Sequence, residues 1–388
     1  MVCQGEDQRL VGLPQSYGRT ISGEIRGMNI LLKGAFYSGH GLAEGNRILL
    51  RILEQAGHTV RIHPVDKGWV KEQVLSPEET GYLSSFEQKT LPTRDLFLCN
   101  WIGSEIRYDP DYRVNIVRTT FETDRIPQSW VSELNRFDEV WVQCAFNSHT
   151  FALSGVKAPL RIIPNFFDDS QYVPIGDKMA LGALRSYLFL SVFDLKERKG
   201  YDVLLRAFLD EFTRRDDTAL VIKVRSGKNV SKLREIIDAH PKPAEEKPCI
   251  HVIDRMFSGS DLIRLYRACD AFVLPTRGEG WGRPLFEAML MEMPVIATSW
   301  SGQTEYMNEG NSFPVKVERL VPVRTKPELD GHYWAEPSVS DLRQKMRYVF
   351  ENRAAASVVG KKARAELLSA YSMEATSSKV IAELNKFR

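Results

Sequence analysis

The stretch Ala271–Ser301, AFVLPTRGEGWGRPLFEAMLMEMPVIATSWS, restricts the fold more than any other part of the chain. Ala271 to Leu274 read as a buried strand, a loop holding Gly278, Gly280 and Gly282 follows, Pro284 opens a short helix, and Val295 to Thr298 read as a second strand. Proline suits the first helical positions because the N–H it lacks would have no intrahelical acceptor there. Strand, helix and strand in so short a space make a βαβ unit with the loop at a strand's carboxyl end. The glycines let the backbone approach a ligand, and the helix start at Trp281, Gly282, Pro284 and Leu285 suits a phosphate. Two carboxylates frame the loop: Glu279 lies within it, and Glu287 is read as a residue of the first helical turn, where the dipole favours an acid. Taken singly, each is an ordinary loop or helix acid.

Of 388 residues, 43% are hydrophobic and 26% charged, which allows two ordinary domains and argues against disorder. Lys and Arg number 52 against 50 Asp and Glu, so a net charge of +2 gives no whole-protein field that would gather nucleic acid. Any anion site must be local. Cys3, Cys99, Cys144, Cys249 and Cys269 are scattered, with no CxxC pair and no His/Cys cluster at metal spacing. They read as core residues of a protein in a reducing cytoplasm, and no metal is expected. No stretch approaches the roughly 20 apolar residues of a membrane span, and the first residues lack the apolar segment of a signal peptide. A cytoplasmic protein is expected, with peripheral contact to an anionic membrane left open to a few local Lys and Arg. Residues 1–27 read as a mobile tail, and the sequence sets no oligomeric state.

The remaining pattern is two successive series of strands and helices. In the first, Met28–Phe36, Leu96–Cys99, Val114–Thr119 and Glu139–Ala145 read as strands, and Glu44–Ala56 as a helix stopped at Gly57. The turn Ser38–Gly41 (SGHG) joins the first strand to that helix, and His40 reads as a loop residue. Asn147 or Ser148 is expected to cap a short helix ending before Gly155. The Pro-punctuated passage from Ile162 through Pro174 leads to the second series, with strands Tyr187–Phe193, Ala219–Val224 and Cys249–Ile253, a helix Asp202–Phe212 and another capped by Ser260. Asp194–Gly200 (DLKERKG) follows a strand end, where open α/β sheets bind ligands, which favours phosphate binding for Lys199. Glu318–Pro337 is a Pro-rich, aromatic connection longer than a connector needs, and two helical segments follow, about Asp341–Leu368, with room for a break near Ala355, and Met373–Phe387. A dehydrogenase on paired α/β domains would need GxGxxG after a strand and an acid about 20 positions on, and neither occurs.

In its βαβ setting, the loop with paired Glu279 and Glu287 resembles the motif of the retaining glycosyltransferases of family 4. The unit Phe121–Val156, FETDRIPQSWVSELNRFDEVWVQCAFNSHTFALSGV, is similar to a stretch of their acceptor-side domain, and Lys199 before Gly200 is similar to the lysine that grips the donor diphosphate. The resemblance covers nearly everything from Met28 onward. It implies an α/β protein of the GT-B architecture, two doubly wound Rossmann-like domains facing across a cleft. Residues 28–167 would form the acceptor side and 168–372 the nucleotide-sugar side, with the helix over 373–388 returning to the first domain. It implies transfer of a hexosyl unit from a UDP- or GDP-sugar to a hydroxyl of a glycan or lipid-linked acceptor, with retention and with neither cofactor nor metal.

By the same resemblance Glu287 holds the ribose hydroxyls, Glu279 lies beside the transferred sugar, the loop at Gly41 faces the donor phosphates, and the segment Ile253–Phe257, with Met256 in it, meets the nucleobase. There are two departures. Glu122 stands where many members carry a histidine near the donor sugar, and it joins Glu279 as a candidate catalytic residue. Phe193 or Asp194 stands where the family adds an arginine, so either Arg198 turns inward or Arg283 supplies the missing charge. His40, Asp124 and Arg125 are the acceptor-side candidates. A non-catalytic nucleotide-sugar-binding protein, and a phosphorylase or epimerase on the same fold, are the alternatives.

Overall fold

The apolar runs pair into two parallel six-stranded sheets in a computed structural model that describes residues 27–68, 75–103, 105–182, 184–224 and 230–388. The tail read at the start of the chain lies, apart from Gly27, outside the described residues. The first sheet holds β1 (Asn29–Gly34), β2 (Thr59–Pro64), β3 (Leu96–Asn100), β4 (Val114–Arg118), β5 (Glu139–Val142) and β6 (Leu160–Ile162), in the order β2-β1-β3-β4-β5-β6. The second holds β7 (Tyr187–Phe193), β8 (Thr218–Val224), β9 (Cys249–Asp254), β10 (Ala271–Leu274), β11 (Val295–Thr298) and β12 (Phe313–Val315), in the order β12-β11-β10-β7-β8-β9. Strand order reverses between β1 and β3 in one sheet and between β7 and β10 in the other, and such reversals open a crevice beyond the strands' carboxyl ends.

Helices α1 (Gly41–Gln55), α2 (Pro77–Glu87), α3 (Gln128–Leu134) and α4 (Ala145–Leu153) belong to the first series. Helices α5 (Tyr201–Glu211), α6 (Ser231–Ala239), α7 (Gly259–Ala268) and α8 (Arg283–Leu290) belong to the second. Cover on both faces explains why β3, β4, β5, β7, β8, β10 and β11 read as apolar runs without alternation: almost all of their residues are buried. Ile30, Leu49 and Ile116 lie in one core of the first sheet, Phe97, Val140 and Phe151 in a separate one, and Leu190, Phe208 and Phe272 in the core of the second.

The region Glu318–Pro337 is largely an antiparallel ribbon of β13 (Val317–Pro322) and β14 (Tyr333–Pro337), where the sequence reads as a plain connection. Three helices follow: α9 (Val339–Glu351), α10 (Arg353–Tyr371) and α11 (Met373–Leu384). Val380 and Leu384 of α11 are fully buried in the first sheet's core with Ile30 and Leu49, and Arg113 donates to the Phe387 carbonyl at 2.7 Å.

Two helix caps differ from the sequence reading. Strand β5 stops at Val142 rather than Ala145, so α4 begins early, and Cys144 Sγ accepts the Asn147 N–H at 3.5 Å. The Asn147 side chain is engaged elsewhere, accepting from Thr120 Oγ1 at 2.6 Å and donating to the Phe121 carbonyl at 2.7 Å. Ser258, not Ser260, caps α7 by accepting the Asp261 N–H at 3.1 Å.

Candidate active site

The β7–β10 reversal brings together the loops that follow those two strands. Phe193 leads into a turn over Glu197–Lys199, and Gly200 takes φ +65°, where a Cβ would sit 1.9 Å from the Pro275 carbonyl oxygen. Only glycine lets this turn lie against the end of β10. Lys199 Nζ then reaches Glu279 Oε1 at 2.6 Å, and Arg198 spans Glu279 Oε2 at 3.1 Å and Glu122 Oε1 at 3.1 Å. The result is an alternating chain of charge, Glu122–Arg198–Glu279–Lys199, crossing from the first domain to the second.

Glu279 is buried and pinned, not a mobile loop acid. Thr276 Oγ1 donates to its carboxylate at 2.9 Å, and its own N–H donates to Ser301 Oγ at 2.8 Å. Burial alone would raise its carboxyl, but Lys199 and Arg198 outweigh that and hold it at about 2. Burial lowers the Lys199 ammonium, with Glu279 acting against it; in Arg198 the two carboxylates outweigh burial and raise the guanidinium.

Helix α8 starts at Arg283 with Pro284 second, which carries Glu287 past the first turn. The dipole therefore does little for Glu287; its fixed partners are side chains. Tyr266 Oη donates to Oε2 at 3.0 Å, and Arg283 Nε stands 3.6 Å from Oε1. Arg283 lies nearer to Glu44 on α1, at 2.6 Å, and over the Phe167 ring at 4.2 Å. One guanidinium facing two carboxylates leaves Glu287 short of positive charge, and burial raises its carboxyl.

Gly278 and Gly280 serve a purpose the sequence reading did not assign them. A Cβ on Gly278 would meet the Glu122 carbonyl oxygen at 2.1 Å, and one on Gly280 would meet Thr120 Oγ1 at 2.1 Å. Their bareness lets the first domain close onto the loop. Gly282, at φ +87°, makes the turn into α8.

Between the domains lies a cavity of ≈ 440 Å³ lined by Glu122, Arg198, Lys199, Glu279 and Glu287, together with Gly280, Trp281, Gly282, Arg283 and Pro284. His40, Gly41 and Met256 also line it. Three sequence candidates do not. Leu285 is fully buried in the second core below the loop, since its place on α8 turns it toward the sheet. Asp124 and Arg125 pair with each other at 3.0 Å, and Asp124 is occupied by the ribbon, exchanging hydrogen bonds with Tyr333 at 3.0 and 2.8 Å.

The cavity has further lining that sequence reasoning missed, Glu44, Thr120, Gln143, Asn165 and Lys223, and Phe257, at the end of the segment expected to meet the nucleobase, lines it as well. Lys223 carried a signal, a charge inside the apolar strand ALVIKV; its Nζ lies 5.1 Å over the Phe257 ring. Arg277 was also missed. It is buried, pairs bidentately with Asp202 at 2.7 and 2.9 Å and with Glu336 at 2.8 Å, and so fixes the glycine loop to α5 and to the ribbon. Among the described residues no group of His, Cys, Asp or Glu has the arrangement to hold a metal, and no helix is long and apolar enough to cross a membrane.

The family model for "Glycosyl transferases group 1" matches residues 185–329, which contain Arg198, Lys199, Glu279 and Glu287. Residues 185–329 are thus similar to the group 1 glycosyltransferases. Mannosylfructose-phosphate synthase of Agrobacterium fabrum is 29% identical over 153 residues, covering 37% of this chain and 33% of the relative. The serotype-specific mannosyltransferase WbdA of Escherichia coli is 32% identical over 108 residues, covering 28% of this chain and 13% of the relative. The chain thus spans about a third or less of these relatives' lengths. In overall structure it is similar to Anabaena Alr3699/HepE, solved in complex with UDP and glucose, at a TM-score of 0.65 with 14% identity over 92% of this chain and 100% of that one. Sucrose-phosphate synthase of Thermosynechococcus elongatus gives a TM-score of 0.65 with 15% identity over 92% and 98%. The matched segment therefore sits within a GT-B fold, as the half of the cleft that carries the paired glutamates.

Proposed function

We propose that the protein is a retaining glycosyltransferase that moves a hexosyl unit from a UDP- or GDP-sugar to a hydroxyl of a glycan or lipid-linked acceptor, without a metal. The observation that carries this reading is the charge chain at the β7–β10 reversal, with Glu287 on the same cavity wall. Lys199 and Arg198 are cations held ready by a carboxylate. A donor diphosphate competes with Glu279 for both, and its arrival turns Glu279 toward the sugar. As the bond from the anomeric carbon to the phosphate oxygen breaks, its electron pair goes to the diphosphate, whose growing charge Lys199, Arg198 and the α8 amide end stabilise. The acceptor oxygen bonds to the anomeric carbon on the same face, and its proton passes to the departing phosphate oxygen. Glu279 steadies the positive charge developing on the sugar. Glu287, already accepting a hydroxyl hydrogen bond from Tyr266, is suited to accept from the ribose hydroxyls.

The relatives support a nucleotide-sugar donor, since two are named as mannosyltransferase and synthase and one neighbour was solved with UDP and glucose. The test is a thermal-shift titration with UDP, GDP, UDP-glucose and GDP-mannose. A ligand at 100 times its Kd stabilises by about 2.7 kcal/mol. Stabilisation by one nucleotide and its sugar, together with acceptor-dependent nucleotide release, is expected. Binding without acceptor-dependent release would favour the non-catalytic alternative, and no stabilisation by any of the four would overturn the reading.

A further inference from the structure

The two walls of the cavity differ in charge. The second domain contributes the cations Arg198, Lys199, Lys223 and Arg283 with the carboxylates Asp194, Glu279 and Glu287, whereas the first domain contributes the carboxylates Glu44 and Glu122 with His40, Thr120, Gln143 and Asn165 and no lysine or arginine. Glu44 and Glu122 are held there by ion pairs across the cleft, to Arg283 at 2.6 Å and to Arg198 at 3.1 Å. Gln143, at the end of β5, is only 4% exposed and lines the cavity, yet its side-chain amide makes no hydrogen bond to another described residue. An amide in that state, facing the cavity, is free to pair with a ligand there.

Resting on the glycosyltransferase reading, we propose that the first-domain wall is a subsite for an uncharged polyhydroxyl acceptor, recognised by Gln143 with Thr120, Glu44 and Glu122, and that it rejects acceptors carrying a phosphate within the cavity. The chemistry follows from donors and acceptors. A sugar hydroxyl both donates and accepts, so it pairs with carboxylate oxygens, with the lone pairs of Thr120 Oγ1, whose proton is given to Asn147, and with either end of the Gln143 amide. Phosphate oxygens at neutral pH mainly accept. Against two carboxylates they find like charge, and once the donor diphosphate engages Arg198, that cation no longer offsets Glu122, while Glu44 keeps Arg283.

The test measures nucleotide release and transferred product with UDP-glucose and GDP-mannose as donors. Methyl α-glucoside and methyl α-mannoside are compared with glucose 6-phosphate and fructose 6-phosphate, and saturation-transfer NMR records binding of each to the nucleotide-loaded protein. The neutral glycosides should bind and should accelerate release at least tenfold more than the sugar phosphates. Gln143→Ala, checked for folding by circular dichroism, should raise the KM for the neutral acceptor about tenfold with a smaller change in kcat, and Gln143→Arg should shift preference toward the phosphates. A sugar phosphate that binds or reacts as well as its neutral counterpart overturns the proposal. So does failure of every neutral glycoside to bind when the nucleotide does. Failure of all nucleotides to bind removes the glycosyltransferase reading itself and the subsite with it.

Discussion

At the scale of single residues, the two glutamates of the loop motif differ in surroundings, and their substitution should differ in kind. Glu279 is balanced by two cations, so Glu279→Gln leaves Lys199 and Arg198 buried without a full partner, an arrangement that typically costs about 3 kcal/mol or more. The pH dependence has a definite sign. The folded protein holds this carboxyl at about 2 against an ordinary value of 4.5, so its stabilisation is complete above 4.5 and fades as pH falls toward 2. Urea unfolding of wild type and Glu279→Gln should show their difference shrinking over that window; a constant difference would mean that the ion pairs contribute nothing. In turnover, Glu279→Gln should lower kcat by about a hundredfold or more. Glu287→Ala should act on binding instead, weakening the nucleoside diphosphate by about 1.5 to 3 kcal/mol in isothermal titration, the range for hydrogen bonds to charged groups. Glu279 and Lys199 drew attention because they stood in glycine-bearing turns at strand ends, and Glu287, on the helix that follows, only as the second glutamate of the motif. Gln143 was not: one amide after the strand EVWV repeats nothing and makes no pattern, and only the folded cavity distinguishes it.

At the scale of elements, the inner strands of both sheets were legible, since parallel strands covered on two faces are written as uninterrupted apolar runs, whereas the outer strands β2, β6 and β12 and the helices α2, α3 and α6 were not delimited. The ribbon β13–β14 was hidden. Its strands are separated by Val323–His332, with no tight two-residue turn to announce a hairpin, and Pro322 and Pro337 read as punctuation. The start of α8 slipped by one residue because proline is as comfortable second in a helix as first, and that slip misplaced Glu287 in the first turn. The glycine loop was read as a ligand cradle, whereas Gly278 and Gly280 are bare because a neighbouring domain presses on them, a constraint from residues more than 150 positions earlier in the chain. Gly280→Ala tests this. A methyl group at 2.1 Å from Thr120 Oγ1 must push the loop or the first domain away, with a stability loss of about 1 to 3 kcal/mol in urea unfolding. Thr120→Gly should return most of it, whereas a glycine needed only for its own backbone freedom would show no such rescue.

At the scale of the whole molecule, the domains touch at more places than the passage that joins them. His332 meets Thr123 at 2.8 Å, Tyr333 pairs with Asp124, Phe146 packs on Trp300 at 4.9 Å, and Glu305 accepts the Ala145 N–H at 2.7 Å. The ribbon is thus a clasp beside the cleft. Asp124→Ala should loosen it, raising the radius of gyration of the nucleotide-free protein in small-angle scattering and weakening nucleotide affinity by no more than about fivefold, because only the population of the closed form changes. An unchanged radius would show that the clasp bears no part of closure. Helix α11 has a different consequence, in the order of synthesis. A ribosome delivers the six strands of the first sheet early, yet Val380 and Leu384, which close that sheet's core, only after the whole second sheet. The first domain is therefore completed after the second. Until α11 emerges, the nascent first sheet presents an unsealed apolar face while the second domain, whose six-stranded sheet lies within residues 187–315 and whose core takes in Leu342 and Leu367 of α9 and α10, can fold as a unit. The burden of guarding that face falls on chaperones, and a stalled or truncated product would be open to proteases on the side that appeared to be complete.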